Sequence, residues 1–178
     1  MTDIDPIILK IDQLVSLSRL NELAVIVNTD RADRLVRIAA AVQQLKPGAY
    51  LLGTGPATTG IIPLTVQEVV IGRPATPLEK PSDGVADYAV ADTLYFGPRE
   101  TSRLHARIVR RWKESALIYV LLDMGSTCGT YVNGRRLEGD GGQVLMHGDV
   151  ISLGPSQVST YVFLVRDGLF EESGGADD

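Results

Sequence analysis

Three short motifs hold the residues best suited to chemistry. Gly72-Arg73 ends one apolar run, and Ser102-Arg103-Leu104-His105 opens another. Gly125-Ser126-Thr127-Cys128-Gly129-Thr130 lies between two more. Arginine gives charge-assisted hydrogen bonds to an oxyanion, each contributing about 1.5–3 kcal/mol when well formed. Ser102 and Thr127 add hydroxyl donors, and nearby glycines can expose backbone N–H groups. Residue types of this kind, on loops, suit the holding of a phosphate. They do not make a catalytic set. No serine sits at the centre of a Gly-x-Ser-x-Gly elbow. Cys128 has no histidine partner in sequence, although His105 or His147 could approach in space, and it reads as a small loop residue. Gly53-Thr54-Gly55-Pro56-Ala57-Thr58-Thr59-Gly60 shares only its glycines with a phosphate loop, because the Gly-Lys-Ser/Thr ending is missing. There is no carboxylate pair, metal-ligand spacing or cofactor fingerprint. The expectation is a binding protein, not an enzyme, with no cofactor and no metal.

Composition sharpens that expectation. The 178 residues are 44% hydrophobic and 22% charged, enough to bury a core. One cysteine excludes an internal disulfide framework and a multi-thiolate zinc site, and two histidines leave little for a histidine-based metal centre. No apolar run approaches the roughly 18 residues that span a bilayer. Met1-Thr2-Asp3-Ile4-Asp5 is acidic where a secretory signal is basic. A soluble, cytoplasmic protein without membrane insertion is expected. The net charge of −5 argues against general nucleic-acid binding. Yet residues 99–113 hold Arg99, Arg103, Arg107, Arg110, Arg111 and Lys113 against Glu100 alone, a local +5. A compact basic patch in an acidic protein suits one phosphate better than a polyanion. Strand alternation would put Arg103, Arg107 and Arg111 on one face, which keeps nucleic acid as a minor alternative.

The elements that must position these groups fall into two textures. Residues 1–46 read as a helical hairpin. Pro6 suits a helix start, and apolar residues from Ile7 to Val27 recur at three- and four-residue steps. Asp30 can cap a second helix with the stripe Leu35, Ile38, Ala39, Val42 and Leu45, stopped by Pro47-Gly48. Such a hairpin must pack either on the rest of the chain or on a second copy as a homodimer. Residues 47–63 read as an uncharged linker. Beyond them the pattern is β: Thr65–Gly72, Leu104–Trp112, Ala116–Asp123, Tyr131–Leu137, Gln143–Leu145, Val150–Leu153 and Thr160–Arg166. Asn133-Gly134 marks a hairpin. Ala116–Leu122 is apolar on both faces and should be central. Residues 75–92 look like a long exposed loop, and residues 169–178 like a disordered acidic tail. Short strands without intervening helices predict a mainly β protein, a sandwich or barrel.

In their order, the motifs resemble the forkhead-associated (FHA) family. That family shows Gly-Arg, Ser-x-x-His, a Gly-Ser-x-Asn-Gly-Thr type loop, Val-Asn-Gly, Gly-Asp and Leu-Gly. Here they are Gly72-Arg73, Ser102 to His105, Gly125 to Thr130, Val132-Asn133-Gly134, Gly148-Asp149 and Leu153-Gly154. The likeness covers residues 64–168. It implies a β-sandwich of about eleven strands whose loops at one end bind threonine-phosphorylated proteins or peptides. It also implies roles. Arg73 would hold the phosphate, and Ser102 would bond a phosphate oxygen. Arg103 would aid phosphate or peptide contact, and Thr127 would touch the phosphate or the peptide main chain. Gly72, His105, Gly129 and Asn133 would support the site. The family's threonine preference would come from a small apolar pocket for the methyl group.

Two departures qualify this. The family's asparagine in the Gly-Ser-x-Asn-Gly-Thr loop, which ties down the peptide backbone, is Cys128 here. A thiol is a weak hydrogen-bonding group, so affinity or sequence choice should change. Arg73 and Ser102 are 29 positions apart, longer than usual, with residues 75–92 as the insertion. The expected function is a phosphothreonine-dependent adaptor in Ser/Thr-kinase signalling. The competing one is a phosphate-independent scaffold that self-associates through residues 1–46 and the 75–92 loop.

Overall fold

The computed structural model describes residues 28–55, 57–58, 60–74, 84, 86–90 and 100–166. Asp30 accepts a hydrogen bond from the Asp33 N–H at 3.0 Å and caps α1, Arg31–Val42. The cap satisfies one of the donors that a helix start leaves open. The expected stripe is largely real: Ile38, Val42 and Leu45 are buried, whereas Ala39 faces solvent.

The described strands form two sheets. The first has the order β2-β1-β11-β10-β7-β8, with β1 Gly48–Gly53, β2 Ile61–Pro63, β7 Thr130–Val132, β8 Arg135–Arg136, β10 Val150–Leu153 and β11 Thr160–Arg166. The second has the order β4-β3-β5-β6-β9, with β3 Glu68–Gly72, β4 Tyr88–Ala89, β5 Ala106–Lys113, β6 Ala116–Asp123 and β9 Gln143–Val144. The pairs are antiparallel except β3 with β4. Alternate residues of both sheets point inward and share one core. Leu51, Ile71, Ile108, Leu121, Ile151, Leu153 and Phe163 are its most enclosed large side chains. Tyr119 and Phe163 meet across it with ring centroids 5.4 Å apart and planes tilted by 54°. The expected mainly β class therefore holds, as two facing, mostly antiparallel sheets.

The linker expected over residues 47–63 is a correction. Gly48–Gly53 forms β1, which lies between β2 and β11, well inside the first sheet. Its Ala49 and Leu51 enter the sandwich core. Its Tyr50 and Leu52 enter a second core, with Ile61, Val150, Val162 and Leu164, beneath Ile38, Val42 and Leu45 of the α1 segment. A strand covered on both faces has no apolar–polar alternation, and flanking glycines then make it look like linker. The connection from β1 to β2 is pinned as well. Thr54 N–H donates to Thr160 C=O at 2.9 Å, and Ala57 N–H to Val158 C=O at 3.0 Å. A Cβ on Gly55 would sit 2.2 Å from the Val158 oxygen, so only glycine allows this approach. The sandwich thus begins at residue 48 rather than 64.

The second core answers where α1 packs: in cis, on the outer face of the first sheet. Buried Arg34 secures it, donating to the carbonyls of Gly148 and Thr29 and to the Asn133 side chain. Arg31 donates to the His147 carbonyl at 2.9 Å. Within the loop expected over 75–92, Tyr88–Ala89 forms a short strand beside β3, and Val90 is buried. The parallel pairing is invisible to a sequence pattern only two residues long. The first helix of the expected hairpin, most of the 75–92 stretch and the acidic tail lie outside the described residues.

Candidate functional site

β3, β5, β6 and β7 bring three loops to one end of the sandwich. The end of β3 presents Gly72 and Arg73, residues 100–105 lead into β5, and residues 124–129 join β6 to β7. Gly72 lets the first two loops touch. A Cβ there would lie 1.9 Å from the Arg103 carbonyl oxygen, so no other residue fits without moving backbone. Arg73 N–H donates to Ser102 C=O at 3.1 Å beside it. The Arg73 side chain, half-buried, donates from Nη1 to Pro74 C=O at 3.1 Å.

His105 locks the second loop to the third. It has no exposed surface. Its Nδ1 accepts from Ser102 N–H at 3.0 Å, so the proton belongs on Nε2, which then donates to Gly129 C=O at 3.1 Å. Burial pushes the His105 pKa down; the Gly129 bond and the Asp123 charge only partly oppose it. The neutral tautomer is thus both the bonded form and the favoured one.

The third loop is folded by a carboxylate that the sequence reading did not single out. Asp123 accepts from Ser126 N–H at 2.9 Å, Ser126 Oγ at 2.6 Å and Thr130 Oγ1 at 2.6 Å. Burial alone would raise its pKa, but the Ser126 and Thr130 hydrogen bonds outweigh that and hold it below the usual carboxylate range. Ser126 Oγ also accepts from Gly129 N–H at 3.0 Å. An acid followed three residues on by serine, with glycine between, is a turn signal, and it was present in Asp123-Met124-Gly125-Ser126.

With the loops so fixed, Thr127 N–H donates to Ser102 Oγ at 3.2 Å. The Ser102 hydroxyl receives one hydrogen and keeps its own O–H for an incoming acceptor. Gly72, Arg73, Ser102, Arg103, His105, Thr127 and Gly129 therefore belong to one cluster. Cys128 lies in the same loop, half-buried and as a free thiol. Asn133 lies elsewhere. It sits in the turn at the far end of β7, donating to Asp149 Oδ1 at 2.9 Å and accepting from Val150 N–H at 3.0 Å. The basic stretch also divides. Arg103 precedes β5 and lies in the loop, while Arg107 pairs with Glu68 at 3.5 Å. It does not form one continuous stripe. Among the described residues no group of three or more His, Cys, Asp or Glu side chains could hold a metal ion.

The FHA domain family model matches residues 69–154, which span all three loops. The chain has an FHA domain. Among solved structures, full-length yeast Pml1p aligns with a TM-score of 0.54 at 18% identity, over 74% of this chain and 91% of that one. A second structure of yeast Pml1, described as a splicing factor, gives 0.55 at 18%, over 72% and 88%. The FHA domain of the CT664 protein from Chlamydia trachomatis gives 0.49 at 20%, over 66% and 97%. At these identities the Pml1 matches speak for the fold. No curated protein matches the chain. The FHA match also accounts for Gly154. Its N–H donates to the Gly129 carbonyl at 3.0 Å, so that oxygen joins the last family motif to the site loop.

Proposed function

We propose that this FHA domain binds threonine-phosphorylated proteins and serves as an adaptor in Ser/Thr-kinase signalling, in the cytoplasm. The carrying observation is the convergence of Arg73, Ser102 and Thr127 at one end of the sandwich. There the Ser102 hydroxyl is oriented by the Thr127 N–H, and Arg73 is anchored by the Ser102 carbonyl. Arg73 would supply the charge, Ser102 a directed O–H, and Arg103 and Thr127 further phosphate or peptide contacts. None of these groups is a nucleophile with a base beside it, so the arrangement holds a phosphate without cleaving it. FHA domains as a family are binding modules for phosphothreonine, which supports the same reading. Ser102→Ala removes one hydroxyl bond to a charged oxygen, worth about 1.5–3 kcal/mol. Binding of a phosphothreonine peptide, followed by calorimetry, should weaken about ten- to hundredfold. A phosphate-dependent affinity that Ser102→Ala leaves intact would remove Ser102 from the site.

A further inference from the structure

The β7–β8 hairpin carries a cation back to the candidate site. Asn133 and Gly134 both have positive φ, 50° and 77°, the backbone of a tight two-residue turn that matches strand twist. The turn reverses the chain so that Arg136 pairs with Tyr131, and Leu137 N–H donates to Thr130 C=O at 2.8 Å. Arg136 therefore stands beside the start of β7, next to the 126–129 loop. Its side chain lies over Gly129: a Cβ on that glycine would come within 2.4 Å of Arg136 Nε and 3.0 Å of Nη2. Gly129 also has φ +83°, so two features favour glycine there. Arg136 is exposed, and no carboxylate among the described residues pairs with it. A guanidinium in this state is an exposed, unspent positive charge beside the candidate site. It lies over Gly129, the residue that follows Cys128, where the FHA pattern has asparagine for the peptide backbone.

We infer that Arg136 is a specificity-determining residue: it selects phosphothreonine peptides that carry an acidic residue beside the phosphothreonine. The inference rests on the proposed phosphothreonine binding. Its logic is compensation. Cys128 offers the peptide backbone little, so discrimination shifts from a main-chain bond to a side-chain charge. A planar guanidinium donates two parallel hydrogen bonds to a carboxylate, which lysine cannot copy. An exposed pair of this kind is modest, so the expected effect is about two- to fivefold in affinity.

The test uses the full chain and a set of phosphothreonine peptides that differ only by Asp or Ala at one flanking position. Binding is measured by fluorescence polarisation for wild type, Arg136→Gln, Arg136→Glu and Arg73→Ala, with circular dichroism to confirm folding. Wild type should prefer one Asp peptide to its Ala counterpart about two- to fivefold. Arg136→Gln should level the two, and Arg136→Glu should reverse their order. The inference is overturned if wild type binds the phosphopeptides without preferring Asp at any position. It is equally overturned if the preference survives Arg136→Gln, or if that variant weakens every phosphopeptide as much as Arg73→Ala does. In each of those three outcomes phosphothreonine binding itself still stands. Absence of phosphate-dependent binding by wild type would overturn that broader reading, and this one with it.

Discussion

His105 shows how one buried side chain can join two loops that are distant in sequence. It does so only while neutral, since Nδ1 must accept from Ser102. Its folded pKa lies below the ordinary 6.5. The unfolded chain thus takes up a proton first as pH falls, and stability present above about 6.5 declines below it. Urea unfolding at pH 7.5 and pH 5 should show the loss, and His105→Gln should flatten it in that window. The depressed Asp123 carboxyl contributes above the usual carboxylate range and is lost only at lower pH, so the two effects separate. Cys128 is the other decisive residue. Restoring the family's asparagine with Cys128→Asn should tighten phosphopeptide binding by a few-fold to tenfold, one ordinary hydrogen bond of about 0.5–1.5 kcal/mol. Unchanged affinity in titration would mean the peptide does not reach that position. At this scale the motifs were readable because Gly-Arg and Ser-x-x-His are contiguous in sequence. Arg136 was not, since its approach to Gly129 depends on a hairpin closing in three dimensions.

At the scale of elements, burial on two faces decided which ones were legible. Ala116–Asp123, Val150–Leu153 and Thr160–Arg166 were bounded by turn residues and have the predicted limits. β1 was hidden because α1 covers its outer face and removes the polar side of the pattern. The same cover explains the helix stripe. Ile38 is 2% exposed and packed on the sheet, while Val36 on the opposite face is 78% exposed. Ile38→Ala should therefore cost about 2–5 kcal/mol in denaturant unfolding. Val36→Ala should stay within about 0.5 kcal/mol. Equal small effects would show that α1 is not part of the cooperative fold. Because Ile38, Val42 and Leu45 are used in cis, that stripe is not available for pairing with a second copy.

For the whole molecule, an acidic chain brings Arg73 and Arg103 to one end of a β-sandwich. Arg73 and Arg103 sit on loops that glycine, His105 and Asp123 fix before any ligand arrives, which lowers the ordering cost of binding. The most direct test is calorimetric titration of wild type and Arg73→Ala with one library-selected peptide, with and without its phosphothreonine phosphate. Wild type should bind only the phosphorylated form, and Arg73→Ala should lose about ten- to hundredfold, the worth of a charge-assisted phosphate contact of about 1.5–3 kcal/mol. Equal binding by the two proteins, or equal binding of the two peptide forms, would contradict the account.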